Sequence, residues 1–230
     1  MLEANHIYCG DCLEVAKEIV NNSIDLVLID PPYCSQNKAR IGTRYNQSSG
    51  QLTKFDDMSE RIYRQFMKER LSLVFDKMKI ESHVYVFVGW KYLRELMDCL
   101  ELSSFRINKI LVWDLCSIGG GYSWRNQHEF IIFGSKGVAR PVNDRSLSTV
   151  LRYPRIKRGL HPFEKPVGLI KTIVLNSTKK HDVVLDMFSG SVTTAVACIN
   201  THRNFIGIDI SREYCDIAEK RIKRETEKLL

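Results

Sequence analysis

Seven short apolar runs, enriched in β-branched and aromatic residues, punctuate the chain: Ile7 to Cys9, Asp25 to Asp30, His83 to Gly89, Ile107 to Trp113, Glu129 to Gly134, Val183 to Phe188 and Asn204 to Asp209. Runs this short, separated by segments of helical period, predict strands alternating with helices around a mostly parallel sheet. Leu93, Leu96, Met97 and Leu100 recur at helical spacing, as do Ile62, Phe66 and Leu73, and each set predicts a helix turning those residues to the core. Ser211, with Glu213 two residues on, predicts the capped start of a last helix, whose Lys- and Arg-rich run reads as a solvated face. At 230 residues and 44% hydrophobic content, the chain fits one domain, 1–230, with a full core.

Two segments break the alternation. Residues 34–54 carry Lys38, Arg40, Arg44 and Lys54 among Ser, Asn, Gln and Gly, with no acid. Residues 136–160 hold seven basic residues, Lys136, Arg140, Arg145, Arg152, Arg155, Lys157 and Arg158, against the single acid Asp144. Their excess nearly matches the net charge of the whole chain, +7. Cations clustered in this way suit a polyanion better than the same charge spread out, so both segments are predicted to face phosphates.

Other classes recede. There is no run of about 18 apolar residues, and Met1 to His6 lacks a basic-then-apolar targeting pattern, so a cytoplasmic protein with no membrane partner is expected. Seven scattered cysteines, Cys99 and Cys198 among them, read as reduced thiols. Cys9 and Cys12 have metal-ligand spacing, but no second pair completes a zinc site, and no metal is expected.

The chemistry concentrates at two strand ends. Asp25 to Ile29 runs into Asp30-Pro31-Pro32-Tyr33, at the edge where parallel sheets hold their ligands. Two successive prolines fix a rigid extended turn that aims the Asp30 carboxylate and the Pro31 carbonyl in set directions. Both are acceptors. An aromatic amine such as adenine's is a poor nucleophile because its lone pair is delocalised into the ring. Acceptors drawing on both its hydrogens favour a pyramidal nitrogen, while Tyr33 stacks on an extruded base. Neighbouring Cys34 is not read as a nucleophile, since an amine target needs no covalent step and the thiol lacks an adjacent base.

The second cluster is Val183-Val184-Leu185-Asp186-Met187-Phe188-Ser189-Gly190-Ser191, leading into Val192 to Ala197. A strand, a tight turn of small residues and a helix start make a nucleotide-type site, where glycine lets a ligand approach the backbone. Asp209 ends the next strand, where a carboxylate would grip ribose hydroxyls. The turn lacks the three-glycine dinucleotide fingerprint, and Gly119-Gly120-Gly121 lacks a following lysine, so NAD and ATP are disfavoured.

With both clusters present, the sequence resembles the β-class amino-methyltransferases of DNA, most closely the N6-adenine enzymes of bacterial restriction-modification systems. The resemblance rests on His6 to Cys12, Asp30 to Tyr33, His128 to Phe133, His161-Pro162-Phe163-Glu164-Lys165-Pro166, Asp186 to Ser191 and Phe205 to Asp209, in that order. It implies an α/β, Rossmann-like S-adenosylmethionine-dependent methyltransferase fold with a seven-stranded, mostly parallel sheet and circularly permuted motif order. The implied reaction is methyl transfer to the N6 amine of adenine in double-stranded DNA, with the base flipped. Asp30 and Pro31 would accept from the amine and Tyr33 would stack on the base. Asp186, Phe188, Ser189, Gly190 and Ser191 would line the cofactor loop, Asp209 would hold the ribose, Asp11 would contact the cofactor's adenine, and Lys165 would sit near its methionine end.

The family further implies a homodimer and a cognate restriction endonuclease, and residues 136–160, long and cationic, are read as the target-recognition region. Asp11 equally reads as a helix N-cap, and Lys165 as a surface lysine before a helix that Pro166 starts. Two alternatives stand beside this reading. An N4-cytosine target is disfavoured by Asp rather than Ser before Pro-Pro, and a catalytically silent DNA-binding subunit is motivated by Val192. Val192 replaces the second glycine of the family's Gly-Ser-Gly-Thr-Thr, and Leu115 stands where many relatives carry lysine.

Overall fold

The strand Ile24–Ile29 (β2) is buried at every position and lies inside the sheet, as a strand covered on both faces must. The computed structural model describes residues 2–32, 59–120, 123–156, 164–190 and 192–228. Within them β1 is His6–Cys9, α1 Cys12–Val15, α2 Glu60–Lys77, β3 Met78–Val88, α3 Leu93–Leu102, β4 Arg106–Asp114 and β5 His128–Ser135. Then come β6 Val150–Arg152, α4 Val167–Ser177, β7 Val183–Asp186, α5 Thr193–Ile199, β8 Asn204–Asp209 and α6 Arg212–Glu227.

The sheet order is β1-β8-β7-β2-β3-β5-β4-β6, with β5 antiparallel to β3 and β4 and the other neighbours parallel. Side chains alternate across it. Val27 and Ile29 of β2 join one core with α2 and α3, whereas Leu26 and Leu28 join the other with α4 and α5. The chain leaves β2 for β3 on one side, while β7 and β8 lie on the other. The strand order therefore reverses between β2 and β7, and a doubly wound sheet opens its ligand crevice at such a reversal. Leu28 pairs with Asp186, so the two chemistry-bearing strand ends finish side by side.

All seven expected strands are present, and β6 makes an eighth among the described residues. At three residues it is too short to show a period, and it lies inside the segment read as a basic loop. The α2 face is also corrected. Ile62 is exposed, and the buried stripe is Tyr63, Met67, Leu71 and Val74, with Arg70 beside it. Ser211 caps α6 through a bond from the Tyr214 amide, as expected, whereas Pro166 is the N-cap of α4 rather than its first helical residue.

The cations of 136–160 divide between the two ends of the sheet. Lys136 donates to the Met78 carbonyl and Asn22, and Arg140 to the carbonyls of Asp25 and Ser177, at the end where β2 and β3 begin. These two are tied inward, at the opposite end of the sheet from the crevice. Arg152 and Arg155 stand at the carboxyl edge, paired with Asp114 at 3.6 Å and Glu129 at 3.3 Å. Residues 34–54 and 157–160 lie outside the described residues.

Candidate active site

A cavity of about 250 Å³ opens at the carboxyl ends of β1, β2, β7 and β8. Each strand supplies the residues just past its end: Gly10 and Asp11 after β1, Asp30 and Pro32 after β2, Met187 to Gly190 after β7, and Ile210 and Ser211 after β8. Asp186 and Asp209, the final residues of β7 and β8, also line it. Pro31 is buried beneath this rim. Backbone geometry shapes the β7 turn: Gly190 sits at φ 46° and Val192 at φ 66°, ψ 26°. The left-handed region is one that glycine enters freely and a β-branched residue enters only under strain. Packing holds Val192 there, since it is 1% exposed in the core between α4 and α5. A side chain at Gly207 would reach within 2.5 Å of the Ser189 hydroxyl, so β8 must be bare where the turn lies on it.

Four carboxylates surround this small volume, and each has its own partners. Asp11 accepts from the Leu13 amide, capping α1, and its two oxygens lie 2.9 and 3.2 Å from the Arg70 guanidinium. Arg70 is itself buried, stacked 3.5 Å over Phe66. Asp209 accepts from the amides of Gly190 (2.7 Å) and Ser211 (2.8 Å), which ties β8 to the glycine turn. Asp186 accepts from the Phe188 amide and the Thr194 hydroxyl. Burial, reinforced by the charges of Asp30 and Asp209, pushes its carboxyl up to about 6 against those two hydrogen bonds.

Asp30 is held by Lys165, whose ammonium lies 2.6 Å from Oδ2 and 3.8 Å from Glu129 Oε2. Lys165 is only 7% exposed, over the faces of Phe87 and Trp113. Desolvated in this way, an ammonium needs its counter-charges close. The Glu129 Oε2 atom is buried and accepts no hydrogen bond among the described residues, while Oε1 takes the Arg155 guanidinium. A line of alternating charge, Asp30, Lys165, Glu129, Arg155, thus runs from the cavity to the surface.

Asp11, Asp30, Lys165, Asp186, Phe188, Ser189, Gly190 and Asp209 meet at one cavity, while Tyr33 and Ser191 lie outside the described residues. Lys165 is not the surface lysine its neighbourhood in sequence allowed. Its partner is Asp30, 135 positions away, rather than any group in the glycine turn. Sequence reasoning missed Arg70, Glu129 and Thr194. Arg70 gave a signal, a cation interrupting the apolar stripe of α2 three residues after Met67.

A switch-point cavity joining an acid-proline corner to a glycine turn defines a Rossmann-like α/β protein whose two motifs serve one site. Residues 24–220 match the N6/N4 DNA methylase family, and the chain belongs to it. It is 29% identical to the type II methyltransferase M.HinfI of Haemophilus influenzae over 95% of this chain and 68% of that protein. It is 27% identical to the DNA adenine methyltransferase YhdJ of Escherichia coli K12 over 96% of this chain and 83% of that protein. The fold superimposes on M1.HpyAVI, solved as a complex with S-adenosylmethionine, with a TM-score of 0.68 at 24% identity, over 94% of this chain and 98% of that one. No helix among the described residues is long and apolar enough to cross a membrane.

Proposed function

We propose that this chain transfers the methyl group of S-adenosylmethionine to the N6 amine of adenine in double-stranded DNA. One observation carries the reading: Asp30 and the Asp186–Gly190 turn face a single cavity from neighbouring strands. The chemistry of the donors suits the cofactor. Asp209 is fixed by two backbone amides with carboxylate lone pairs to spare for ribose hydroxyls, Phe66, Phe188 and Tyr214 supply apolar walls, and a cationic ligand finds four carboxylates nearby. Adenine methylation by YhdJ and S-adenosylmethionine binding by M1.HpyAVI agree with it.

When bound, S-adenosylmethionine supplies a methyl group on a sulfonium, a strong electrophile that needs no covalent enzyme step. The protein's task is then the amine. Asp30, anchored through Oδ2 by Lys165, and the Pro31 carbonyl accept its two hydrogens and localise its lone pair. The lone pair so exposed would take the methyl group that the sulfonium supplies, and Asp30 would receive the proton that the amine gives up. Positioning the two reactants in line supplies most of the remaining acceleration. The roles that the resemblance implies for Tyr33, stacking on the flipped base, and for Ser191, cofactor contact, belong to the same proposal. Arg152 and Arg155 of the recognition segment contact phosphate.

The test is incubation with plasmid DNA and methyl-labelled cofactor, then mass spectrometry of the digest and mapping of modified positions. N6-methyladenine is expected, and it should be absent with Asp30→Ala. N4-methylcytosine, or equal labelling by the variant, overturns the assignment. The homodimer and the cognate endonuclease implied by the resemblance belong to the same proposal, and sedimentation of the protein tests the former.

A further inference from the structure

Trp124 is 99% exposed, an extreme value for the side chain that most favours burial or an interface. It lies between β4 and β5. Because β4 runs parallel to β3, and β3 to β2, that connection emerges at the carboxyl edge, the same edge as Asp30. The described part of the connection is pinned at its base. Leu115 donates to Gln127 O, Gly119 to Asn126 O, and Gln127 Nε2 to Asp114 Oδ1. The indole is therefore presented outward on a fastened support. Ile118 and Arg125 border the same open depression, which gives it apolar and cationic contact together. Arg152 and Arg155 stand on the edge beside it.

Position matters as much as exposure. β5 and β4 are the second and third strands from β2, which at about 4.8 Å per strand sets the support roughly 10–14 Å to the side of Asp30. That offset is comparable with the width of the DNA major groove, about 12 Å. It suits a group that stays in the duplex while the base beside it swings out to the cavity. Trp90, the other exposed tryptophan, comes after the first strand from β2 and keeps about a third of its surface covered. Extruding a base leaves a gap in the stack, and proteins that distort DNA fill such gaps with apolar or aromatic side chains.

We infer that Trp124 enters the duplex beside the target adenine and takes the stacking place that the extruded base leaves. This rests on the adenine reading of the cavity. The test uses two duplexes carrying a site mapped on plasmid DNA, one with the target adenine paired to thymine and one with an abasic position opposite it, so that the target base starts unpaired.

Trp124→Ala is expected to lose roughly tenfold in kcat/KM on the paired duplex, the scale of one base–aromatic stack. On the abasic duplex it should return to within about twofold of wild type, because an unpaired base flips at lower cost. Trp124→Phe should keep most of the activity on both, and affinity for S-adenosylmethionine should not change. Equal rates for wild type and Trp124→Ala on the paired duplex overturn the inference. So does an equal loss on both duplexes, which marks a plain surface contact, or an altered sedimentation coefficient, which marks a protein partner. Plasmid DNA in which no adenine is labelled defeats the adenine reading itself before any duplex is built, a result distinct from any of these.

Discussion

Asp186 shows at the scale of one residue how a site is kept at the expense of the fold. Its folded-state pKa of about 6 lies above the ordinary carboxylate value of 3.8, so folding favours the protonated form. Linkage then sets the sign. The stabilising proton is fully present below pH 3.8 and is lost as pH rises through about 6, leaving a buried anion at neutral pH. Asp186→Asn should therefore melt several degrees above wild type at about pH 8, at about 2–4 °C per kcal/mol for a domain of this size. The difference should close as pH falls below 3.8, where the wild-type carboxyl becomes protonated in both states. The same variant should bind S-adenosylmethionine more weakly at the alkaline end, since a cationic ligand loses one of the four carboxylates that line the cavity. Wild-type affinity should fall as pH drops below about 6, while that of Asp186→Asn stays flat. Calorimetric melting and titration of the two proteins across pH check both signs.

Lys165 poses a related question. Its 2.6 Å contact with Asp30 places it beside the proline corner, whereas the resemblance set it near the cofactor. Lys165→Met is expected to lower kcat by roughly tenfold or more, as loss of an electrostatic support does, with the cofactor Kd nearly unchanged. A weakened Kd with normal kcat would return the lysine to the cofactor. Residues such as Asp30, Asp186 and Asp209 were legible in the sequence because an acid ending an apolar run is a local signal. The Lys165 contact and the Arg70 to Asp11 pair were not, because the partners are brought together only by the packing of distant elements.

Among the elements, the start of α5 is where local preference and tertiary packing conflict. Val192 holds a left-handed conformation that costs about 1–2 kcal/mol for an L-residue, yet its side chain is fully buried. Val192→Ala keeps most of the backbone cost and loses the packing, so it should be destabilised by about 2 kcal/mol. Val192→Gly loses slightly more apolar surface but relieves the backbone, and should be no less stable than the alanine variant. Chemical denaturation of the pair would contradict the strain account if glycine proved clearly the worse. The departure from the family's glycine pattern was visible in the sequence, but the positive φ that gives it meaning was not. Elsewhere the seven strands were located because each carries its own short apolar run. The three residues of β6 carry too little pattern, and the α2 stripe was misphased because Phe66 and Leu73 are only partly buried while Arg70 faces inward.

For the whole molecule, charge does two jobs at opposite ends of the sheet. Arg140 satisfies two carbonyls where the strands begin and lies 4.0 Å from the buried Asp25 carboxylate. Arg140→Ala should cost about 2 kcal/mol of stability and leave the salt dependence of DNA binding unchanged. Arg155→Ala, at the carboxyl edge, should do the reverse, lowering the slope of log K against log salt by about one. Parallel denaturation and binding titrations separate the two. Composition alone could not make this division, because a run of cations in sequence crosses from one end of the sheet to the other.

The central claim is that the proline corner acts on the amine and the glycine turn on the cofactor, across one cavity. Single-turnover methyl transfer measured beside S-adenosylmethionine affinity for Asp30→Ala tests it most directly. The expected result is a rate reduced at least about a hundredfold, about 2.7 kcal/mol of transition-state stabilisation, with cofactor affinity essentially that of wild type. A variant that transfers at the wild-type rate, or one whose loss of rate is matched by an equal loss of cofactor binding, would contradict it.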